Sequence, residues 1–211
     1  MPALVSGLCH AHFRHSILAV TKPSSEVRSR IDGFLSACDF RAAYQIRIHA
    51  SPSVVYESLL HADFSELAVM RVLMALRTGK RLPRNRAPGD LRQRLQGAGF
   101  VILDESPEDE IVIGVAGRFW RPEGGRCMDL TASNFEEFSR PGFAKAAWNF
   151  RLPGELSETG ITVLSTETRI QCFGRAAWWK FGAYWSLVGP FSGLIRLAML
   201  KQVKAKAEAQ T

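Results

Sequence analysis

A chain of 211 residues, 46% of them apolar, is long enough for one domain with a sizeable core plus an extension, which excludes a disordered chain. The net charge of +7 is not spread along it, because eight bases against the single acid Asp90 fall between positions 71 and 94. The four cysteines (Cys9, Cys38, Cys127, Cys172) have neither metal-ligand spacing nor the density of a disulfide scaffold, so reduced thiols in a cytoplasmic protein are expected.

Residues 1–40 open the chain with few signals. His10, His12 and His15 lie close to Cys9, but nothing downstream completes a ligand set, and no metal is expected. The apolar run 16–20 is too short for a secretory segment. This part reads as a mobile or loosely docked extension, with a short helix near 25–37.

From Arg41 the pattern sharpens. Tyr44, Ile46 and Ile48 alternate with Gln45, Arg47 and His49, the period of a strand with one buried face. Ser51-Pro52 ends that strand and starts a short helix, serine as cap and proline at the first helical position. Asp63 caps a second helix, whose stripe of Phe64, Leu67, Met70, Leu73, Met74 and Leu76 ends at Gly79. The basic stretch TGKRLPRNRAPGDLRQR follows, with prolines and glycines but no aromatic on which a base could stack. It reads as a solvated loop, and no nucleic-acid partner is expected. A further short helix is predicted over 91–98.

Strands dominate from Phe100. Runs at 100–104, 110–120 (EIVIGVAGRFW), 128–132, 144–152 and 161–172 are read as strands, with Gly114 and Gly117 suggesting bulges in the second. In the run 144–152, Trp148 and Phe150 alternate with Lys145, Asn149 and Arg151, a pattern with one buried face. In the last run Thr166 and Thr168 share one face with Leu164 and Ile170, and Glu167 and Arg169 share the other, as surface charges.

The chain closes on one apolar stretch. Phe181, Tyr184, Trp185, Val188, Phe191, Leu194, Ile195 and Ala198 recur at helical steps, with Trp178 and Trp179 before them and Lys201, Lys204 and Lys206 in the final turns. Gly189-Pro190 predicts a kink, or two helices in series. Only Arg196 is charged between 181 and 200. That charge and the Gly-Pro break favour a helix buried in a globular fold over a membrane span.

Strand, two helices, antiparallel strands, long helix: this is an α+β order. Together with RIHASPSVVYESLL at 47–60, LSTETRI at 164–170 and FGAYWSLVGPFSGLIR at 181–196, it resembles the START-like superfamily of helix-grip folds, the polyketide cyclase-like or SRPBCC group. The resemblance covers residues 41–209, and the first forty residues depart from it. It implies a curved antiparallel sheet wrapped around the C-terminal helix, with two short helices after the first strand and an internal cavity. It also implies binding of a hydrophobic or amphipathic small molecule, a lipid or polyketide, without a cofactor. A minority of such proteins cyclise or dehydrate polyketides, which is the alternative reading.

On that expectation the cavity is lined by Tyr44, Trp148, Phe150, Thr166 and Thr168 from the sheet, Arg118 and Trp120 at the end of a strand, and Phe181, Tyr184 and Trp185 from the helix. Arg118, Tyr184 and Glu167 are the groups available to a catalytic reading, while His49 is expected to be exposed. Contact with a membrane surface through the basic loop and the aromatic helix is a third reading. The pattern does not specify an oligomeric state.

Overall fold

In the computed structural model, which describes residues 28–64, 67, 89–121, 125–152 and 160–211, the alternating stretch after Asp39 forms a strand, β1 (Phe40–Ile48). A single helical turn, α1 (Ile31–Phe34), precedes it. The chain continues through α2 (Pro52–Leu60), α3 (Leu91–Gly97), β2 (Val101–Ser106), β3 (Glu110–Gly117), β4 (Ala144–Arg151), β5 (Thr162–Cys172) and α4 (Arg175–Glu208). The strands form one antiparallel sheet in the order β1-β5-β4-β3-β2. The architecture is therefore α+β, a five-stranded sheet with a long C-terminal helix. The expected second helix and the basic loop lie outside the described residues, apart from Asp63, Phe64, Leu67 and the stretch from Gly89.

Local chemistry explains the helix starts. Ser51 Oγ accepts from the Val54 amide at 3.4 Å with Pro52 inside the first turn, and Asp90 accepts from the Gln93 amide at 3.0 Å to cap α3. The long helix α4 begins differently, after Gly174 at φ +96°, a left-handed conformation that glycine adopts without strain. It runs unbroken through Pro190, so the expected division into two helices does not occur. One backbone bond is forfeited there, and the contacts along the rest of its 34 residues hold the helix together.

The inner face of the sheet carries the main core. Ile48, Ile113, Trp148, Phe150, Leu164 and Ile170 meet Val55 and Leu59 of α2 and Phe181, Leu200 and Val203 of α4. Each such side chain, fully buried, contributes about 1.5–3 kcal/mol relative to exposure. The far end of α4 is also tied down by polar contacts. Lys204 Nζ donates to the Arg47 carbonyl at 2.8 Å, Lys206 Nζ to the His61 carbonyl at 3.0 Å, and the His49 amide donates to Glu208 at 2.9 Å.

The outer face is covered as well, against the expectation of one buried face. β3 is buried at every position and β4 at all but its last. Ile31 and Leu35 from the N-terminal segment, with Leu130, Phe135 and Phe138 from the connection before β4, build a second cluster over Val112, Ala116 and Ala147. That connection was expected to contain a strand at 128–132. Instead it turns at 128–129 and again after Thr131, with Met128 83% exposed, because Leu130 and Phe135 turn inward onto the sheet. Of the extension, residues 28–39 are described, and this part lies against the outer layer.

The bulge also falls elsewhere than expected. β3 keeps an even register with β4, and the shift occurs in β2 between Ile102 and Asp104. The extra residue, Leu103, lays its side chain over Gly114, where a Cβ would sit within 2.9 Å of Leu103 and of Phe135. Gly114 is thus a point of close packing rather than a bend.

Candidate functional site

The sheet's inner face opposite the middle of α4 differs from the core on either side of it. Tyr44, Phe119, Trp120, Tyr184 and Trp185 pack against the main cluster yet stay only partly buried. Phe181 is their centre, with ring centroids 4.9 Å from Phe40, 5.6 Å from Trp185, 5.8 Å from Tyr184 and 6.1 Å from Phe119. α4 approaches β1 closely because glycines face it. A Cβ on Gly193 would lie 2.4 Å from Tyr44 Oη, and one on Gly182 would lie 3.6 Å from the Phe40 ring. Both glycines are contact points for aromatic rings.

Arg196 places a charge over the same inner face, about 22 Å further along α4 than Phe181. Its guanidinium lies 5.2 Å from the Trp148 ring centroid, on the inner face, and close enough to Tyr44 for the two to interact electrostatically. Protein atoms crowd the charge so closely that its pKa falls to about 10, although part of the residue remains open to solvent. Burial likewise pushes the Tyr44 hydroxyl above its ordinary value. Trp148 pairs with Thr168 across the β4–β5 ladder, and Tyr44 pairs with Thr166 across β1–β5, so these groups share one patch. Among the described residues, the Arg196 guanidinium and the Tyr44 and Thr168 hydroxyls have no hydrogen-bond partner on the protein. None of the three is among the fully buried atoms that lack a partner, so each is open to water or to a ligand.

The residues expected to line a site do not all meet here. Tyr44, Trp148 and Thr168 lie near Arg196, while Phe181, Tyr184 and Trp185 line the same inner face about 16–22 Å earlier along α4, with Trp120 packed against the same core. Phe150 is only 1% exposed and stacks on Phe64 at 6.0 Å, as core. Thr166 spends its hydroxyl on the Asn149 carbonyl at 2.6 Å. Arg118 lies over the Phe143 ring at 4.4 Å, beside the outer cluster and away from this patch. Gly114 causes no change of face before it.

Glu167 and Arg169 lie on the outer face, as alternation predicts, but Arg169 is not a surface charge. It is 7% exposed, with Arg169 Nη1 2.7 Å from Asp32 and donating to the Leu35 carbonyl at 2.9 Å, and Nε bonded to Glu167 at 2.5 Å. The segment around α1 covers it, which no strand periodicity could announce. His49 is exposed. Arg196 falls three residues after Gly193 and three before Met199, both buried, so it shares their side of the helix; the sequence carried no signal of this, because the helix is apolar on nearly every side.

Elsewhere, a hollow of about 240 Å³ opens on the outer side between residues 33–37, Glu136, Lys145 and Gln171. Its cation, Lys145, donates to the Phe135 and Glu136 carbonyls at 3.2 and 2.8 Å. Among the described residues there is no cluster of histidine, cysteine and acidic side chains able to hold a metal ion, and no helix is long and apolar enough to cross a membrane. Comparison of the chain with family models, with curated proteins and with solved structures finds no match.

Proposed function

We propose that this chain binds an amphipathic small molecule with an anionic head, held between the inner face of the sheet and α4 in the manner of a helix-grip protein. One observation carries the reading: a guanidinium and two hydroxyls with no described protein partner lie near one another beside Trp148, on a face whose half-buried aromatics continue along α4. A carboxylate or phosphate would satisfy Arg196 and accept from Tyr44 and Thr168, while an apolar tail would lie along Phe181, Tyr184 and Trp185. The resemblance of the element order to START-like proteins supports the same class of ligand.

The cyclase or dehydratase alternative draws less support. Of the groups available to it, Glu167 is held by Arg41 at 2.7 Å and by Arg169 on the outer face, and Arg118 stacks on Phe143. Native mass spectrometry of the protein as purified, and after incubation with long-chain fatty acids, tests the proposal. It predicts a retained or acquired ligand of one-to-one stoichiometry. A mass that never departs from the bare chain across such a series would refute it.

A further inference from the structure

We infer that the outward side of α4 docks the protein on an anionic lipid surface. This side is distinct from the face that meets the sheet. Trp179, Leu187, Phe191 and Leu194 are 66%, 71%, 42% and 53% exposed. Ala183, Ser186 and Pro190 fill the steps between them, also exposed, so the stripe advances by threes and fours along one side of the helix. From Trp179 to Leu194 it runs about 22 Å, at about 1.5 Å per residue. A continuous exposed apolar stripe of this kind marks a surface that something else covers.

The charges around the stripe indicate what that partner is. No acid occurs in α4 before Glu208, which is itself engaged by the His49 amide and by Lys204. Arg175 and Lys180 are exposed at one end of the stripe, and Lys201 at the other. Uncharged apolar side chains bracketed by cations fit a headgroup layer of negative charge above acyl chains. The exposed Trp178 and Trp179 rings, edge to face at 5.0 Å, suit the boundary between the two.

A second copy of the chain fits less well. Two α4 helices packed antiparallel about Pro190 would set Lys180 of one copy beside Lys201 of the other, with no acid on either face to compensate. The length of the stripe argues for a helix lying in the plane of the surface, because no helix among the described residues is apolar enough to cross a bilayer.

Flotation of the full chain with phosphatidylcholine vesicles, and with vesicles of phosphatidylcholine and phosphatidylserine in equal parts, tests this. The double variant Leu187→Asn, Phe191→Asn changes exposed positions only, and circular dichroism with a thermal melt checks its fold. The wild type is expected to float with the anionic vesicles. The apolar double variant, and a second variant Lys180→Gln, Lys201→Gln, should each bind about tenfold more weakly, a loss of about 1.4 kcal/mol. Failure of the wild type to float with either vesicle would overturn the inference. So would flotation equal in all three proteins, which would place the contact on another surface. A wild-type dimer that fails to float and becomes monomeric in the apolar variant would assign the stripe to a second copy instead.

Discussion

The Arg196 guanidinium stands 5.2 Å from the centre of the Trp148 ring, one group reaching down from α4 and the other up from the sheet. A cation over an indole gains about 0.5–2 kcal/mol. Removing a cation from water costs several kcal/mol unless hydrogen-bonded partners compensate. Without an acid beside it among the described residues, Arg196 costs the empty fold stability. An anionic ligand would reverse that balance.

Arg196→Met keeps the bulk of the side chain and removes the charge. Its folded-state pKa is pulled below the ordinary value to about 10, so the folded chain holds this proton less tightly than the unfolded one. The cost is therefore fully present at neutral pH and is relieved only as pH rises through about 10. Thermal or urea unfolding of the unliganded protein at pH 7 should show the variant as stable as the wild type, or more stable by about 1–2 kcal/mol. A loss of stability would mean that Arg196 has a structural partner.

Gly193→Ala tests the close approach of α4 to β1. The added Cβ would lie 2.4 Å from Tyr44 Oη, forcing the ring to move. Overpacking of this kind costs about 1–3 kcal/mol, against a gain of about 1 kcal/mol in helix propensity. Combining it with Tyr44→Phe, which removes the clashing oxygen, should recover part of the loss. Additive effects in that double-mutant cycle would mean that the two residues do not touch.

The outer layer should matter as much to stability as a core. Ile31 is fully buried, and Ile31→Ala should cost about 2–4 kcal/mol in urea unfolding. Arg169→Met strips a partner from Asp32 and Glu167, although Arg41 still holds Glu167, so a smaller loss of about 2 kcal/mol is expected. Effects below about 0.5 kcal/mol for both would show that the segment around α1 is loosely attached.

Tyr56 and Glu105 give the fold a pH signature at each extreme. Burial, then the bond it donates to Glu105, raises Tyr56 to about 12, while Arg92, bonded to both Glu105 oxygens at 2.8 Å, lowers Glu105. A raised tyrosine favours folding below its ordinary value of 10, and that contribution is lost as pH climbs through about 12. A lowered carboxylate favours folding above its ordinary 4.5 and loses its contribution as pH falls through the lower folded value. Melting curves should therefore show Tyr56→Phe flattening the alkaline decline and Glu105→Gln the acid one. Unchanged slopes in both variants would show that this cluster does not set the pH dependence of folding.

The sequence announced the inner half of the molecule well, for a physical reason. Period-two alternation at Tyr44, Ile46 and Ile48, and the Ser51-Pro52 start, are local signals that the contacts made later do not alter. The outer half was hidden, because β3 and β4 are covered on their second face by residues 28–35, far off in sequence, and by the irregular connection that runs between them. Lys145, Asn149 and Arg169 look like surface residues in a strand pattern, yet all are buried beneath residues 28–35 and the connection before β4. Arg118 could face inward only through a bulge at Gly114 or Gly117; β3 keeps an even register with β4, and Arg118 reaches Phe143 instead. On α4 the expected buried face included Phe191 and Leu194, which are exposed. The helix is apolar on nearly every side, so periodicity could not tell its two faces apart.

The most direct test of an anion-headed ligand is a paired fluorescence titration, with a long-chain fatty acid and the alcohol of the same chain length, against the wild type and Arg196→Met. The wild type is expected to prefer the carboxylate by about tenfold or more, and the variant to bind both ligands alike. A wild type that binds neither ligand, or one whose preference for the carboxylate survives the loss of Arg196, would contradict it.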